Sequence, residues 1–320
     1  MNPTLFGLIG ATATGKTGAS IEIARRLRTR GIEVEIVALD SRQLYRGLDV
    51  GTGKPTRAER AEVTHHLIDA IDPTDTPDAM QYRQWVEEAV VGIVDRGHVP
   101  LLVGGSGFYL RALREGFHTI EATDSERDAV RREVAALSDH ELDARLRSLD
   151  PVTADRLHAN DRYRRGRALE IALLTGRAPS DLEADFEPHP VLGASFELAH
   201  LQIDRAALHR RIETRTRNWL DAGWADEVRA LLEAGVPPEA PGLQILGYRD
   251  VLALVRGECD RATAAERIDV GTRRYARSQE TWFRKEAVAE RGDAARVVEA
   301  LVGRVVEVGD AGDAGRSGSS

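Results

Sequence analysis

Residues 10–17 read GATATGKT and fit the phosphate-loop pattern G-x-x-x-x-G-K-[ST]. In such a loop, backbone N–H groups and the N-terminus of the next helix face an anion. The glycines let the chain wrap closely, Lys16 adds a positive charge, and the Thr17 hydroxyl is a typical Mg²⁺ ligand. The predicted phosphate-binding residues are Gly10, Ala11, Thr12, Ala13, Thr14, Gly15, Lys16 and Thr17. The pattern by itself fits a nucleotide or another diphosphate.

A carboxylate stands at the end of a second predicted strand. Asp40 directly follows the apolar run at residues 34–39. Because ligands of parallel sheets sit at the C-terminal ends of the strands, we expect Asp40 to face the phosphate site. It would act there as a general base or as a Mg²⁺ partner through water, and a helix N-cap is the structural alternative. Ser41, Arg42 and Gln43 follow with hydrogen-bonding side chains typical of a loop that reads a polar partner.

The elements that position these residues alternate between strand and helix. Short apolar runs at 4–9, 34–39 and 99–103 predict buried strands, and helical periodicity marks residues 17–29 and 80–96. This order predicts an α/β fold with a parallel sheet of the P-loop NTPase kind, flanked by helices. Residues 124–176 are charged and helical in period, which indicates an inserted all-helical subdomain.

Four segments follow from this pattern. Residues 1–120 form the first part of the P-loop core, 121–193 the helical insertion, and 194–290 the completion of the core with C-terminal helices. Residues 291–320 form a C-terminal extension, and its Gly-, Ser- and Asp-rich end from residue 309 predicts a disordered tail.

The overall composition excludes several classes of protein. The 320 residues carry a formal net charge of -8, which argues against a simple cationic protein that coats nucleic acid. Cys259 is the only cysteine, so no intrachain disulfide or cysteine metal knuckle is expected, and a reducing cytosol suits the chain. No run of about 18 apolar residues predicts a membrane span, and we expect a cytoplasmic protein. The adjacent pair His65-His66 predicts a structural loop, because neighbouring side chains diverge and no third metal ligand is evident.

An ordered set of motifs carries a family resemblance. The stretch DSRQLYRGLDVGTGKPT at residues 40–56 resembles the tRNA dimethylallyltransferases, also called tRNA isopentenyltransferases, which prenylate an adenosine beside the anticodon. The resemblance continues with HHLID at 65–69, GGSGFYL at 104–110, residues 160–170, LHRRI at 208–212, LGYR at 246–249, TRRYAR at 272–277 and TWFR at 281–284. These motifs span most of residues 5–285 in order, so the set is far more specific than the phosphate loop.

The resemblance implies a reaction and a set of catalytic residues. A dimethylallyl group would pass from dimethylallyl diphosphate to N6 of the adenosine 3′ to the anticodon. Asp40 matches the family's base, Arg211 matches its arginine on the diphosphate side, and Ser106 stands where most relatives have a substrate-contacting threonine. The phosphate loop, with Mg²⁺ on Thr17, would neutralise the leaving diphosphate. The implied partners are this donor and the tRNA anticodon stem-loop, and we expect a monomer.

Two basic segments are the predicted contacts with RNA. Residues 161–167 hold four arginines and a tyrosine, which suit phosphates and an unpaired base. In the C-terminal helix Arg273, Arg277 and Arg284 share one face at about 100° per residue, and Tyr275 falls on the opposite, core-facing side. A helix surface paired with nearby acids is the alternative for residues 161–167, and a charged face that only meets solvent is the alternative for the C-terminal helix. The predicted tRNA-binding residues are Asp40, Ser41, Arg42, Gln43, Ser106, Tyr163, Arg164, Arg165, Gly166, Arg167, Arg273 and Arg277.

Two alternative functions stay open from the sequence. An adenylate isopentenyltransferase would use the same chemistry on free AMP, ADP or ATP, but it would not need the arginine-rich insertion. A small-molecule P-loop kinase would share the phosphate loop and a carboxylate after the second strand. It would need neither the insertion nor the basic C-terminal helix.

Overall fold

The structure, a computed structural model, describes residues 3–76, 78–118 and 120–317. It divides into two compact units, of which the first joins Met1–Arg114 to Pro190–Ser320 and the second is Glu115–His189. The bounds of the second unit, 115–189, each lie a few residues before the bounds of the insertion predicted from the sequence, 121–193.

The first unit is built on one parallel sheet. Its strands are β1 Thr4–Ile9, β2 Val34–Leu39, β3 His65–His66, β4 Val99–Gly104, β5 Ser195–Leu201 and β6 Glu290–Gly292. Their order across the sheet is β3-β2-β4-β1-β5-β6, and every neighbouring pair is parallel. This architecture confirms the α/β fold with a parallel sheet. The sequence did not predict β6 at its edge.

Helices flank the sheet and make up the regular structure of the second unit. In chain order they are α1 Lys16–Arg28, α2 Arg57–Glu62, α3 Ala79–Asp95, α4 Gly107–Arg114, α5 Asp124–Ala136, α6 Asp139–Leu149, α7 Pro151–Arg156, α8 Arg162–Thr175, α9 Pro179–Ala184, α10 Arg205–Asp221, α11 Trp224–Glu233, α12 Tyr248–Val255, α13 Arg261–Phe283 and α14 Ala294–Ser317. Short 3₁₀ turns lie at Val191–Gly193 and Pro241–Gln244. None of the described helices is long and apolar enough to cross a bilayer.

Local signals fix where the helices of the site begin. Gly15 adopts a left-handed conformation at φ 103 immediately before α1, which a side chain would disfavour. The Asp204 carboxylate accepts hydrogen bonds from two N–H groups in the first turn of α10. Asp260 accepts one from the Thr263 N–H in the first turn of α13. These caps satisfy orphan donors and set the register in which α10 and α13 present their side chains.

Helix α14 accounts for most of the predicted C-terminal extension and packs against the core of the first unit. Its apolar residues pack into the same core as α1 and the sheet; they are Val297, Val298, Leu301, Val302 and Val305. The predicted disordered tail from residue 309 is also replaced by helix as far as Ser317, while residues 318–320 lie outside the described part of the chain. A packed helix propagates at one hydrogen bond per added residue, which explains its continuation past Gly309.

The second unit has its own helical core, in agreement with the predicted all-helical subdomain. Its buried apolar residues come from α5, α6, α7 and α8; they are Val134, Leu142, Leu146, Ala154, Ala168 and Leu169. Arg165 of α8 is also buried there, with a side chain only 2% exposed that pairs with Asp143. Its Nη1 donates to the carbonyl oxygens of Ala154 and Leu157 at 3.1 and 3.0 Å. The ion pair and these hydrogen bonds offset the desolvation cost of burying the guanidinium charge. Arg165 is therefore a structural part of this core.

Packing of α14 is testable by truncating one core side chain. Leu301→Ala is expected to lower the free energy of unfolding by about 2–5 kcal/mol, because it leaves a cavity beside α1. Val308→Ala, at an exposed position of the same helix, is the control and should cost less than about 0.5 kcal/mol. Urea unfolding followed by tryptophan fluorescence measures this unit alone, because all four tryptophans lie in it. Equal costs for both variants would contradict a packed α14.

Candidate active site

A cavity of about 480 Å³ opens at the C-terminal edge of the sheet. The loops after β1 and β2 form one side of its wall, and α10 and α13 form the other. Residues from separate predictions meet there: Thr12, Ala13, Gly15, Lys16, Thr17, Asp40, Arg42, Gln43 and Arg211. The structure thus brings the phosphate loop, the carboxylate and the arginine to one site.

Protein groups hold the phosphate loop in shape. The Lys16 ammonium donates to the carbonyl oxygens of Gly10 and Ala11 at 2.9 and 2.8 Å. The Thr14 hydroxyl donates to the Ala11 carbonyl at 2.9 Å. Desolvation by the surrounding protein lowers the pKa of Lys16 to about 8, although Asp40 acts in the opposite direction. An anion in the cavity would favour the charged ammonium, so the site is matched to a negatively charged ligand.

Two arginines of α10 approach the same loop from the other side. Arg211 donates from Nη1 to the Thr14 carbonyl at 2.8 Å. Arg215 donates from Nη1 to the Thr12 hydroxyl at 3.0 Å. The Arg215 guanidinium also lies over the Trp219 ring, 4.5 Å from its centroid. Desolvation, together with the nearby charge of Arg42, lowers the pKa of Arg215 to about 10. Among the described residues its buried Nε has no hydrogen-bond partner, so it has a donor to spare.

Asp40 lies between these cations at the end of β2. Its Oδ1 accepts a hydrogen bond from the Arg42 N–H at 2.9 Å, so it caps a turn and not the α-helix of the structural alternative. The charges of Lys16 and Arg215 both act on it. The Arg42 guanidinium stacks over the Tyr275 ring at 4.1 Å from the centroid. The carboxylate therefore keeps a free oxygen beside a cationic pocket.

The far wall of the cavity is largely aromatic and apolar, and the sequence reasoning missed it. Trp219, Trp224, Leu246 and Ile268 contribute to it. Tyr275 was expected to face the core, but that side of α13 lines the cavity. Two glycines in the segment after β2 allow these rings to approach the backbone closely. A Cβ on Gly51 would lie 2.1 Å from the Trp224 ring, and one on Gly53 would lie 2.9 Å from the Trp219 ring. In the sequence, the only signal for this wall is that the glycines of GTG at residues 51–53 leave room for large side chains. Hydrophobic periodicity does not show that Trp219 and Trp224 fill that room.

Other predicted site residues lie elsewhere. Ser106 is half-buried beyond β4, where its N–H donates to the Leu39 carbonyl at 3.1 Å, and it does not contribute to the cavity wall. Ser41 is also outside the wall. The remaining residues of the phosphate loop contribute through their backbone. The Gly10 and Ala11 carbonyls accept hydrogen bonds from Lys16, and the Thr14 carbonyl accepts one from Arg211.

The two basic segments divide into exposed and paired side chains. In α8, Tyr163 is 84% exposed and the Arg164 side chain 69% exposed, with Arg164 3.4 Å from Asp161. Arg167 pairs with Glu170 at 2.8 Å. Arg165 and Gly166 were predicted to contact RNA, but both residues are buried in the structure and do not reach the surface.

In α13 the expected stripe of arginines is broken in the same way. Arg273 donates to the Glu213 carboxylate at 2.9 Å, a pairing that the sequence did not predict, whereas Arg277 is exposed. Arg284 follows the last residue of the helix as its C-cap.

The histidine pair forms the edge strand of the sheet. His65 and His66 form the edge strand β3, where a loop was expected, and His66 contacts the Glu35 carboxylate at 2.6 Å. A hydrogen bond from Arg96, assisted by His66 and His98, lowers the pKa of Glu35 to about 2. No cluster of three or more His, Cys, Asp or Glu in the described ranges is arranged to hold a metal.

The oxygen ligands of the cavity do fit Mg²⁺. The Thr17 hydroxyl and the Asp40 carboxylate both line it. Mg²⁺ keeps several waters and takes few protein ligands when it binds with phosphates, so an all-protein cage is not required.

Comparison with known proteins decides the family. A family model described as IPP transferase matches residues 43–286. A tRNA dimethylallyltransferase of Heliobacterium modesticaldum is 38% identical over 92% of this chain and 92% of its own length. One of Anaeromyxobacter dehalogenans is 42% identical over 95% of this chain and 97% of its own. The chain belongs to the IPP transferase family.

Solved structures resemble this IPP transferase over most of their length. The full-length tRNA isopentenylpyrophosphate transferase of Bacillus halodurans is 30% identical, with a TM-score of 0.67, over 95% of this chain and 96% of that one. A eukaryotic dimethylallyltransferase solved acting on tRNA has a TM-score of 0.77 at 23% identity, over 91% of this chain and 74% of that one, and so supports the fold.

The pKa of Lys16 gives a direct test of the site's electrostatics. Competitive acylation across pH, read by mass spectrometry, should show Lys16 becoming reactive with a midpoint of about 8. The exposed Lys285 provides the reference in the same digest. A Lys16 midpoint at the ordinary lysine value of about 10.4 would contradict the desolvation of this ammonium.

Proposed function

We propose that this IPP transferase transfers a dimethylallyl group from dimethylallyl diphosphate to N6 of the adenosine 3′ to the anticodon in tRNA. The carbon–oxygen bond of the donor breaks and a carbon–nitrogen bond forms. Diphosphate leaves, and the proton lost from N6 passes to a base. The observation that carries the proposal is the convergence of Lys16, Asp40 and Arg211 on one cavity.

Cations of the cavity match the leaving group. Charge grows on the diphosphate as the allylic carbon becomes cation-like, and groups fixed in advance stabilise that charge without reorganising. Lys16, Arg211 and Arg215 already lie against the phosphate loop. When bound, Mg²⁺ would add further neutralisation, and Thr17 would hold it, with Asp40 as a partner through water.

Asp40 is the proposed base. The N6 nitrogen is a weak nucleophile, because its lone pair is delocalised into the ring, so its attack must be accompanied by loss of a proton. Since Oδ1 of Asp40 is held by the Arg42 N–H, the second oxygen is the proton acceptor. The arginine beside it keeps the carboxylate in this orientation.

The aromatic wall serves the carbon end of the donor. Trp219, Trp224 and Tyr275 line the same cavity, where the Trp219 and Tyr275 rings lie against Arg215 and Arg42. Aromatic surface excludes water from the allylic cation, which water would otherwise capture to give the free alcohol. The cavity thus offers both cations for the diphosphate and aromatic surface for the allyl group of the donor.

The relatives' names favour tRNA over the alternative acceptors. The matching curated proteins are named tRNA dimethylallyltransferases, which favours neither a free adenylate acceptor nor phosphoryl transfer by a kinase. The exposed Tyr163 and Arg164 offer a stacking ring and a phosphate partner of the kind that a single-stranded loop needs. We also propose that the enzyme works in the cytoplasm as a monomer.

One assay tests the proposed function. The purified enzyme receives Mg²⁺ and dimethylallyl diphosphate labelled in the allyl group, with unmodified tRNA, with AMP or with no acceptor. Label should enter tRNA only. Asp40→Asn should abolish this transfer and leave tRNA binding largely intact, because the amide keeps the size of the side chain and one of its hydrogen-bond acceptors. Label in AMP but not in tRNA would overturn the proposed acceptor. Phosphoryl transfer from ATP to a small molecule would overturn the reaction itself.

Adjacent arginines of α8 separate RNA contact from packing. Arg164→Ala should weaken tRNA binding and reduce the slope of log affinity against log salt by about one, because one phosphate contact is lost. Its stability, followed by far-ultraviolet circular dichroism, should not change. Arg165→Met should instead lower the free energy of unfolding of this unit by about 3 kcal/mol, because it strands buried carbonyls. An unaltered salt slope for Arg164→Ala would remove Arg164 from the interface.

A further inference from the structure

Gln279 of α13 connects two loops of the site through one buried amide. Its side chain is 6% exposed and lines the cavity. Oε1 accepts a hydrogen bond from the Thr12 N–H at 2.9 Å, and Nε2 donates to the Gly105 carbonyl at 2.7 Å. The first contact reaches the phosphate loop after β1, and the second reaches the loop after β4.

The fit around this amide is tight and has one orientation. The two neighbours are a donor and an acceptor, so rotating the amide by half a turn would lose both bonds. A Cβ on Gly105 would lie 2.4 Å from Nε2, so the close approach depends on that glycine. Thr12 is also held through its hydroxyl by Arg215, which leaves its peptide group little freedom.

We propose that Gln279 is a positioning residue for the donor's diphosphate, acting through the phosphate loop. By fixing the Thr12 peptide, Gln279 sets the orientation of the phosphate loop. That orientation determines where Lys16 and Thr17 are presented to the ligand. The role rests on the proposed diphosphate site. It makes α13, which also carries the Tyr275 ring stacked under Arg42, a support of the donor side of the cavity.

A general packing role would give different results from this one. If Gln279 only filled space, an apolar side chain of the same length would replace it with little effect on any ligand. If it positions the loop, the same change would weaken diphosphate binding selectively. Contacts with tRNA through exposed residues such as Arg277 would persist, because the helix itself is retained.

The test compares two matched variants. Gln279→Met keeps the length of the side chain and removes both hydrogen bonds, and Gln84→Met makes the same change at an exposed position of α3. Calorimetry measures the Kd of inorganic diphosphate with Mg²⁺, filter binding measures the Kd of tRNA, and a thermal melt checks folding. We expect a rise of about tenfold in the diphosphate Kd for Gln279→Met, with the tRNA Kd unchanged and no effect in Gln84→Met.

A second variant keeps the proposal falsifiable if the first one folds poorly. Gln279→Glu retains an acceptor for Thr12 but places a charged oxygen against the Gly105 carbonyl. Protonation of the introduced carboxyl restores a donor, so its diphosphate affinity, relative to the wild type at each pH, should recover as the pH falls. The ratio to wild type removes the effects of the neighbouring Glu280 and of the other ionisable groups that line the cavity, which are Lys16, Asp40, Arg42, Lys54, Glu59, His65, Arg211, Arg215 and Tyr275.

The outcomes distinguish this role from the proposed function. A wild-type chain that does not bind diphosphate would overturn the proposed site and this role with it. Diphosphate binding by the wild type, with an unchanged Kd in Gln279→Met, would overturn the positioning role alone. Equal losses of diphosphate and tRNA affinity, or a Gln279→Glu affinity ratio that stays flat across pH, would also overturn it.

Discussion

The phosphate loop is held in an anion-binding shape by protein groups alone, and the rest of the site depends on this constraint. The Lys16 ammonium ties together the carbonyls of Gly10 and Ala11, while Arg211 holds the Thr14 carbonyl. With these carbonyls satisfied, and with the Thr12 N–H bonded to Gln279, the loop has its shape before any ligand binds. Such pre-organisation suits the proposed reaction, in which the leaving anion must be stabilised.

Keeping several cations in one cavity has an electrostatic consequence. Desolvation lowers the pKa of Lys16 and of Arg215, so the protein alone disfavours this concentration of charge. Asp40 compensates part of it and acts on both cations. A bound diphosphate would compensate the remainder. In the proposed reaction, the arrangement that would bind the donor would also place Asp40 beside the reacting centre, and the substrate would become part of the charge balance.

Many arginines of this acidic protein are neutralised locally by carboxylates. Arg165 is buried against Asp143, Arg167 pairs with Glu170, and Arg273 pairs with Glu213. Arginine density in the sequence therefore overstates the basic surface. Exposed arginines remain, among them Arg277 and also Arg164, which lies 3.4 Å from Asp161, and they are the candidates for phosphate contacts on a protein of net negative charge.

The sequence by itself determined the phosphate-loop motif, the place of Asp40 after the second strand and the parallel sheet. These are local signals, since a P-loop is contiguous and a strand that ends in Asp40 places its carboxylate at the sheet's C-terminal edge. Only the tertiary structure decided which side chains complete the site. Gln279 meets Thr12 across 267 positions, and no periodicity within α13 distinguishes a core-facing side from a cavity-facing one. Burial of Arg165 and the packing of α14 likewise depend on which helices become neighbours, and that follows from the assembled core.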